Sequence, residues 1–211
     1  MDSQTITEDD LKQAVKLYRD HYEKMEQYIS LLLEWNKRIN LVSRMVSRET
    51  IRYHVIHSLV PDAMGLLVKR PAWIDAGSGG GLPGIPLSIV EEGWNWVLND
   101  NVRKKMKAVS GIVNSLELTR VQVEAKSISL VEVPVGAGIV SKHAFKIPDL
   151  LRLLKGKPWS EIIMWKGAEG GRGELKRARK GIQATIFEFN VEDPFYEGKA
   201  IIRLRNTLIR E

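Results

Sequence analysis

The stretch Trp73-Ile74-Asp75-Ala76-Gly77-Ser78-Gly79-Gly80-Gly81-Leu82-Pro83-Gly84-Ile85-Pro86 constrains this chain more than any other. A short apolar run contains one acid, five glycines follow within eight residues, and apolar residues then resume. Glycine opens backbone conformations that a side chain blocks, and it lets a ligand lie against the main chain. The pattern predicts a buried strand, a tight turn and a helix over 84–92, with Pro86 in its first turn and Gly93 at its stop. The start of such a helix offers unpaired N–H groups to whatever the turn holds.

Dinucleotide sites use G-x-G-x-x-G to cradle a pyrophosphate. Here the spacing is G-x-G-x-G, and Asp75 stands two residues before the first glycine. A carboxylate there repels a pyrophosphate and suits a ligand with a positive end. S-adenosylmethionine (AdoMet) has two such groups, an ammonium and a sulfonium. A second acid, Asp100, closes the next apolar run, 94–100. An acid about 20 residues past the loop, at the tip of the neighbouring strand, can accept both ribose hydroxyls. Acid, G-x-G-x-G, strand, acid is the arrangement of class I methyltransferases. An NAD(P) oxidoreductase and a plain strand–helix turn are the alternatives; Asp75 disfavours the first and the number of glycines the second.

Residues 7–70 read as helical. Thr7-Glu8-Asp9-Asp10 forms a helix start with acids in the first turn. Tyr28, Ile29, Leu31, Leu32, Leu33, Trp35 and Ile39 recur at helical spacing, and a third helix is expected from 47–50 through Val60, kinked or split at Pro61. After Pro71 strands alternate with helices. Strands are predicted at 72–75, 94–99, 121–124, 138–141, 161–165, 184–189 and 200–205, with helices near 84–92, 101–116, 147–154 and 173–180. The short 193–198 loop implies an antiparallel hairpin at the end. The expected fold is therefore α/β and Rossmann-like: a seven-stranded, mostly parallel sheet at 71–211 under an N-terminal helical cap at 1–70. Ligands of such sheets bind beyond the carboxyl ends of the strands, an edge that should gather Asp75, Asp100, Ala125, Lys126, Ser141, Lys142 and Lys166.

The chain has no cysteine, which removes disulfides, thiolate metal sites and cysteine nucleophiles. Its 211 residues and 44% hydrophobic content support one compact unit with a real core. No apolar run reaches the ~18–20 residues of a membrane span, and no leader is apparent, so a cytosolic protein without a membrane partner is expected. A net charge of +6 leans towards anionic partners. Two basic runs, 103–107 and 172–180, are either solvated helix faces or phosphate contacts. His54 and His57 lie at i, i+3, but no third ligand accompanies them, so no metal is expected.

Several further segments carry a resemblance: Trp35-Asn36-Lys37, Asn40-Leu41-Val42-Ser43-Arg44, Arg52-Tyr53-His54, Ser58-Leu59, the whole 75–87 glycine element, Asp100 with Lys104-Lys105, Val140-Ser141 and Trp165-Lys166-Gly167. Together they resemble the bacterial ribosomal RNA small subunit methyltransferase G family (RsmG, also called GidB). The resemblance implies a class I methyltransferase fold and transfer of the AdoMet methyl group to N7 of one guanosine in 16S rRNA. It implies small-subunit rRNA or its ribosomal subunit as partner; a monomer is expected. The cofactor is then expected at Asp75, Gly77, Ser78, Gly79, Gly81, Leu82, Pro83, Asp100, Asn101, Ala125 and Lys126. The RNA is expected at Arg44, His54, Lys104, Lys105 and Lys142, with Lys142 and Lys166 as the candidate catalytic groups. Asn40, Arg44 and Arg52 are expected to tie the cap to the site. Three departures from the family pattern stand out. H-x-x-D-S reads His54-Val55-Ile56-His57-Ser58, V-S-R-A reads Val140-Ser141-Lys142-His143-Ala144, and Glu124-Ala125-Lys126-Ser127 replaces the usual R-A-E. A non-catalytic AdoMet- or RNA-binding paralogue, or a methyltransferase for another RNA or a small molecule, remains open beside the leading reading.

Overall fold

Strand β2 (Trp73–Ala76) lies at the heart of the sheet with all four residues buried, as a parallel strand covered on both faces requires. It pairs in parallel with β3 (Trp96–Asn99) on one side and β5 (Ala137–Lys142) on the other. The structure, a computed structural model, describes residues 2–176 and 181–209. Beyond β3 lies β4 (Val121–Glu124); beyond β5 come β6 (Trp159–Gly167), β8 (Lys199–Asn206), β7 (Ile182–Phe189) and β1 (Asp2–Ile6). The sheet order is β1-β7-β8-β6-β5-β2-β3-β4. Strand β8 runs antiparallel to both of its neighbours, as the short hairpin loop implies. The strand order reverses between β2 and β5, and that reversal opens a crevice at their carboxyl ends.

The first strand is a departure from the sequence reading, which placed seven strands and began with a helix. Asp2–Ile6 joins the sheet edge in parallel with β7, making eight strands among the described residues. Four of its five residues are exposed and only Ile6 is buried. With no apolar alternation to mark it, the strand owes its existence to the β7 edge rather than to its own pattern.

Helices α1 (Glu8–Asp20), α2 (Tyr22–Asn36) and α3 (Arg48–Ala63) follow. Thr7 caps α1 reciprocally with Asp10: the Thr7 N–H donates to Asp10 Oδ2 at 2.8 Å, and the Asp10 N–H donates to Thr7 Oγ1 at 3.3 Å. Pro61 does not split α3, for one helix runs through it. Proline cannot donate to the carbonyl four residues back. That carbonyl, on His57, instead accepts the Trp165 indole N–H of β6 at 2.8 Å, so the missing bond becomes a tie between cap and sheet.

Glu26 holds the three cap helices together. Its carboxylate takes Arg48 at 2.8 Å, Arg52 at 2.8 Å and the Tyr18 hydroxyl. Arg52 therefore serves the inside of the cap, not the cap-to-site tie expected of it. Burial pushes the Glu26 carboxyl up, but hydrogen bonds from Tyr18, Arg48 and Arg52 outweigh it and hold it at about 2. A depressed carboxyl contributes stability that is complete above its unfolded value of 4.5 and is lost as pH falls towards 2. The gap in denaturation midpoint between wild type and Glu26→Gln should thus be widest at neutral pH and close in acid. A gap independent of pH would contradict this.

Two apolar clusters cover the two faces of the sheet. Trp73, Trp96, Leu98, Val140, Ile163 and Trp165 face the cap with helix α5 (Arg103–Ser115). Ile74, Ala76, Ile139, Ile162 and Met164 face α6 (Ile147–Leu153) and α7 (Ala168–Leu175). The two-residue period of a strand places Asp75 on the same face as Trp73, and Lys142 on the same face as Val140. Both charges consequently lie under the cap. Residues 177–180, part of the predicted 173–180 helix and of the second basic run, lie outside the described residues.

The cap also reaches the glycine turn directly. The buried Tyr28 hydroxyl donates to the Gly80 carbonyl at 3.0 Å, and a Cβ on Gly80 would stand 2.8 Å from Leu32 Cδ1. Tyr28→Phe leaves that buried carbonyl without its donor and should cost about 1 kcal/mol of stability, read from chemical denaturation. An unchanged midpoint would show that the bond adds nothing.

Candidate active site

The turn after β2 is built from alternating left-handed residues. Gly77, Gly79 and Gly81 have φ of 74°, 58° and 96°, which is the physical content of the G-x-G-x-G spacing. At Gly77 a second demand applies: a Cβ would lie 2.3 Å from Ala144 Cβ and 3.0 Å from Phe145 Cε2. The segment after β5 therefore packs directly on the turn, a neighbour that the sequence did not reveal. The turn continues through Leu82 and Pro83 into α4 (Gly84–Val90).

Two carboxylates fix this turn. Asp75 is fully buried, and its Oδ2 accepts the Gly84 N–H at 2.9 Å. Gly84 permits that approach, since a Cβ there would lie 2.7 Å from the same oxygen. Asp75 Oδ1 and the Ser78 hydroxyl are both buried and lie near one another, but neither makes a hydrogen bond of normal geometry. Burial raises the Asp75 carboxyl to about 7 against the pull of the Gly84 N–H and of the neighbouring Ser78 hydroxyl. Asp100, at the tip of β3, accepts the Gly79 N–H at 3.2 Å with Oδ2 and the Val102 N–H at 2.9 Å with Oδ1. Part-exposed, it grips the turn from the neighbouring strand.

Asn99 is a residue of the candidate site that sequence reasoning missed. Its carbonyl accepts the Gly77 and Ser78 N–H groups at 2.8 and 2.9 Å. Its side-chain amide donates to the Glu124 and Lys126 carbonyls at 3.1 and 2.7 Å. One buried amide thus joins the glycine turn to the loop after β4. In that loop Ala125 is exposed, and Lys126 pairs with Glu124 at 3.0 Å. Asn101 is exposed beside Asp100. Asp75, Gly77, Ser78, Gly79, Asp100, Asn101, Ala125 and Lys126 therefore meet along one sheet edge, whereas Gly81 and Pro83 are buried beneath it and Leu82 is part-buried.

The cationic candidates are placed otherwise. Lys142, expected to face the substrate, is buried and turned into the cap; its Nζ donates to the His54 carbonyl at 2.6 Å and to Ser58 Oγ at 3.1 Å. Burial lowers its ammonium to about 7, against the attraction of Asp75. Lys166 donates to the Phe145 carbonyl at 3.0 Å and pairs with Glu174 at 2.9 Å. Glu174 also accepts the Ile147 N–H at 2.7 Å, so Lys166 shapes the segment over Gly77. Both lysines hold backbone in place. Arg44 is exposed and bonds Asn40 within its own loop at 2.8 Å. Lys104 is exposed and Lys105 part-exposed in the first turn of α5.

His57, where the family pattern has an acid, is wholly buried among Phe189, Phe195 and Tyr196. Both its ring nitrogens lack partners, and burial holds it well below its ordinary value, with Lys142 adding repulsion. With histidine rather than an acid at 57, the Lys142 ammonium takes the His54 carbonyl and the Ser58 hydroxyl of α3. Among the described residues no group of three or more His, Cys, Asp or Glu is placed to hold a metal ion.

A buried carboxylate oxygen and a buried hydroxyl without hydrogen bonds of normal geometry, beside a glycine turn without side chains, fit a ligand that carries a positive end and lies along the main chain. The GidB family, described as rRNA small subunit methyltransferase G, matches residues 21–169. This chain belongs to that family. The matched span runs from the end of α1 to the start of α7 and contains the whole turn. A ribosomal RNA small subunit methyltransferase G of Flavobacterium johnsoniae is 31% identical over 193 residues, covering 86% of this chain and 90% of that one. One of Chlorobium limicola is 30% identical over 205 residues, covering 90% and 91%. Among solved structures, an O-methyltransferase from Bacillus cereus in complex with SAH aligns with a TM-score of 0.57 at 16% identity, covering 84% of this chain and 90% of that one. A methyltransferase from Geobacter sulfurreducens aligns with a TM-score of 0.55 at 13% identity, covering 84% and 87%. At those identities they speak to fold, and the GidB-family chain has the Rossmann-like α/β fold of class I methyltransferases. No described helix is long and apolar enough to cross a membrane.

Proposed function

We propose that this protein transfers the methyl group of AdoMet to N7 of a guanosine in 16S rRNA. Family membership supports the reaction class, and the observation that carries the cofactor is the buried Asp75 Oδ1 without a hydrogen bond of normal geometry above the glycine turn. In this reading Asp75 and Ser78 face the positive amino-acid end of AdoMet. The main chain at Gly77 and Gly79 lies along it, Asp100 and Asn101 take the ribose, and Ala125 and Lys126 border the adenine. When bound, AdoMet supplies a methyl carbon made electrophilic by its sulfonium. Guanine N7 carries its own lone pair, so no proton need be removed before attack, and the chain's task is alignment. The geometry suits that task. Lys142, Lys166, Asp75 and Asp100 all hold backbone groups, and none is left as an evident general base. The protein then works in the cytosol on small-subunit rRNA or the ribosomal subunit.

The deciding experiment incubates the protein with labelled AdoMet and small-subunit rRNA from a strain lacking this gene, and identifies the product nucleoside by mass spectrometry. 7-Methylguanosine is expected. A methyl group on any other atom would overturn the N7 assignment. AdoMet binding with no transfer to the rRNA would favour a paralogue that binds without catalysis, the reading suggested by the altered residues at 57, 126 and 142.

A further inference from the structure

The loop between α2 and α3, residues 37–47, rides on the outside of the glycine turn, and no step of the proposed chemistry uses it. Its backbone is fixed from within. Asn36 Oδ1 accepts the Leu41 and Val42 N–H groups at 2.9 and 3.0 Å, and Asn36 Nδ2 donates to the Ser43 carbonyl at 3.2 Å. Leu41 then presses on the turn, for a Cβ on Gly80 would lie 3.2 Å from Leu41 Cβ. The direction of α3 places the loop's far end. The middle of that helix meets Lys142 at the carboxyl end of β5, and the chain beyond it reaches Trp73, at the start of β2, through the Val68 carbonyl. The start of α3 and the loop before it therefore lie at the carboxyl edge of the sheet, on the crevice side.

Between the loop and the end of α2 runs a groove of about 730 Å³, lined by Lys37, Arg38, Arg44 and Arg48 against the single acid Glu34. Arg48 is neutralised by Glu26. Among the described residues Lys37 and Arg38 enter no ion pair, and Arg44 gives only its Nε, to the neutral Asn40; all three are exposed. One cation here would serve the carboxyl end of α2, but three unneutralised ones call for an anion. Met45 follows Arg44 and is 93% exposed, an apolar side chain held out by a loop whose backbone is tied down. Further cations adjoin. Trp35, near the end of α2, packs on Gly111 of α5, where a Cβ would stand 3.2 Å from the indole. Lys107 and Lys104 lie one and two turns before Gly111 on the same helix face, both exposed. The phosphates of a nucleic acid match cations distributed in this way, whereas an acidic peptide would leave Met45 in water. Guanine N7 makes a demand of its own. It lies on the major-groove edge, and in A-form RNA that groove is too deep and narrow for side chains to enter. The target base must therefore leave its stack, and apolar wedges such as methionine unstack bases.

We propose that the 37–47 loop holds the RNA beside the crevice: Lys37, Arg38 and Arg44 take phosphates, Lys104 and Lys107 extend their path, and Met45 enters the stack next to the target guanosine. The proposal rests on the rRNA methyltransferase reading and adds Lys37, Arg38, Met45 and Lys107 to the RNA surface. Leu41 seats the loop on Gly80, so the hold on the RNA and the cofactor cradle share one support.

The test uses the whole protein and a short RNA hairpin in which 2-aminopurine, a base that brightens when unstacked, neighbours a loop guanosine. Anisotropy at several salt concentrations reads binding, 2-aminopurine fluorescence reads unstacking, and calorimetry reads AdoMet affinity; rRNA methylation is assayed separately. Lys37→Gln combined with Arg38→Gln should weaken hairpin binding about tenfold and lower its salt slope by about one per lost contact. Met45→Ser should hold affinity within about twofold, abolish the fluorescence rise and lower kcat on rRNA about tenfold, the scale of part of one unstacking step. Met45→Leu should stay near wild type. The replaced side chains are exposed, so the fold and AdoMet affinity should hold throughout. Wild-type affinity and salt slope in the double variant would overturn the proposal, and so would a wild-type fluorescence rise in Met45→Ser. A dimer in sedimentation that Met45→Ser dissociates, with RNA binding unchanged, would assign the surface to a second copy and also overturn it. The parent reading fails separately. RNA binding and unstacking that depend on these residues, in a protein that methylates no rRNA, would uphold the RNA contact and refute the reaction. Methylation with unchanged rRNA KM and kcat in the variants would do the reverse.

Discussion

Asp75→Asn is expected to weaken AdoMet binding at pH 8 at least about tenfold while leaving the fold intact. One oxygen of Asp75 accepts the Gly84 N–H, and asparagine can keep that bond through its carbonyl. The other oxygen is buried and makes no hydrogen bond of normal geometry. The substitution puts an NH2 donor there, facing the positive end of the ligand. A hydrogen bond to a charged group contributes about 1.5–3 kcal/mol, and each ~1.4 kcal/mol is tenfold in affinity. The pH dependence has a definite sign. Burial holds this carboxyl at about 7, so AdoMet binding to wild type should weaken as pH falls through that value, and Asp75→Asn should lose this dependence. Stability should move the other way. A carboxyl raised on folding contributes stability that is complete below its unfolded value of 3.8 and is lost as pH rises through about 7. Asp75→Asn should therefore be more stable than wild type at pH 8, with the gap closing in acid. Calorimetry and chemical denaturation read the two effects. Unchanged AdoMet affinity in the variant would sink the assignment of the glycine turn as the cofactor cradle.

Asp75 also shows why the turn could be read from sequence while much around it could not. The G-x-G-x-G spacing states a backbone geometry, because Gly77, Gly79 and Gly81 all adopt positive φ. The acid before it and the acid at the next strand tip follow from strand–turn–helix connectivity, which is local. The partners that press on the turn are not local. Tyr28 reaches Gly80 across 52 residues, and Phe145 and Ala144 come from the end of β5. Asn99 looked like one more strand residue, and no spacing marks an amide that bridges two loops.

The lysines show a second limit. Sequence places Lys142 and Lys166 at strand ends, and the strand ends are where they lie. What an ammonium touches there depends on which face the two-residue period assigns it and on what covers that face. Lys142 falls under α3, where the His54 carbonyl and Ser58 receive it. The first strand shows the opposite limit: Asp2–Ile6 has no apolar period to read, yet the exposed edge of β7 orders it.

The largest loss of stability should come from adding one methyl group at Gly138, on the strand beside β2. A Cβ there would stand 2.4, 2.5 and 2.6 Å from three atoms of the Trp73 indole. A flexible side chain could swing aside at small cost, but this ring cannot. Trp73 is fully buried, its Nε1 donates to the Val68 carbonyl at 3.0 Å, and its ring is stacked on Trp96 at 6.1 Å. Relief would require β5 to move away from β2, the two strands whose carboxyl ends frame the crevice. Overpacking a core ordinarily costs about 1–3 kcal/mol, and with a rigid ring as the obstacle Gly138→Ala should reach or exceed the top of that range. Gly173→Ala makes the same chemical change in the exposed middle of α7, where nothing lies within 4 Å of the added carbon. It should stabilise by about 0.5–1 kcal/mol through helix propensity and a less flexible unfolded chain. Denaturation midpoints of the two variants should fall on opposite sides of wild type. Equal shifts would mean that the Trp73 ring does not enforce the β2–β5 spacing, and that the requirement for glycine at 138 lies elsewhere.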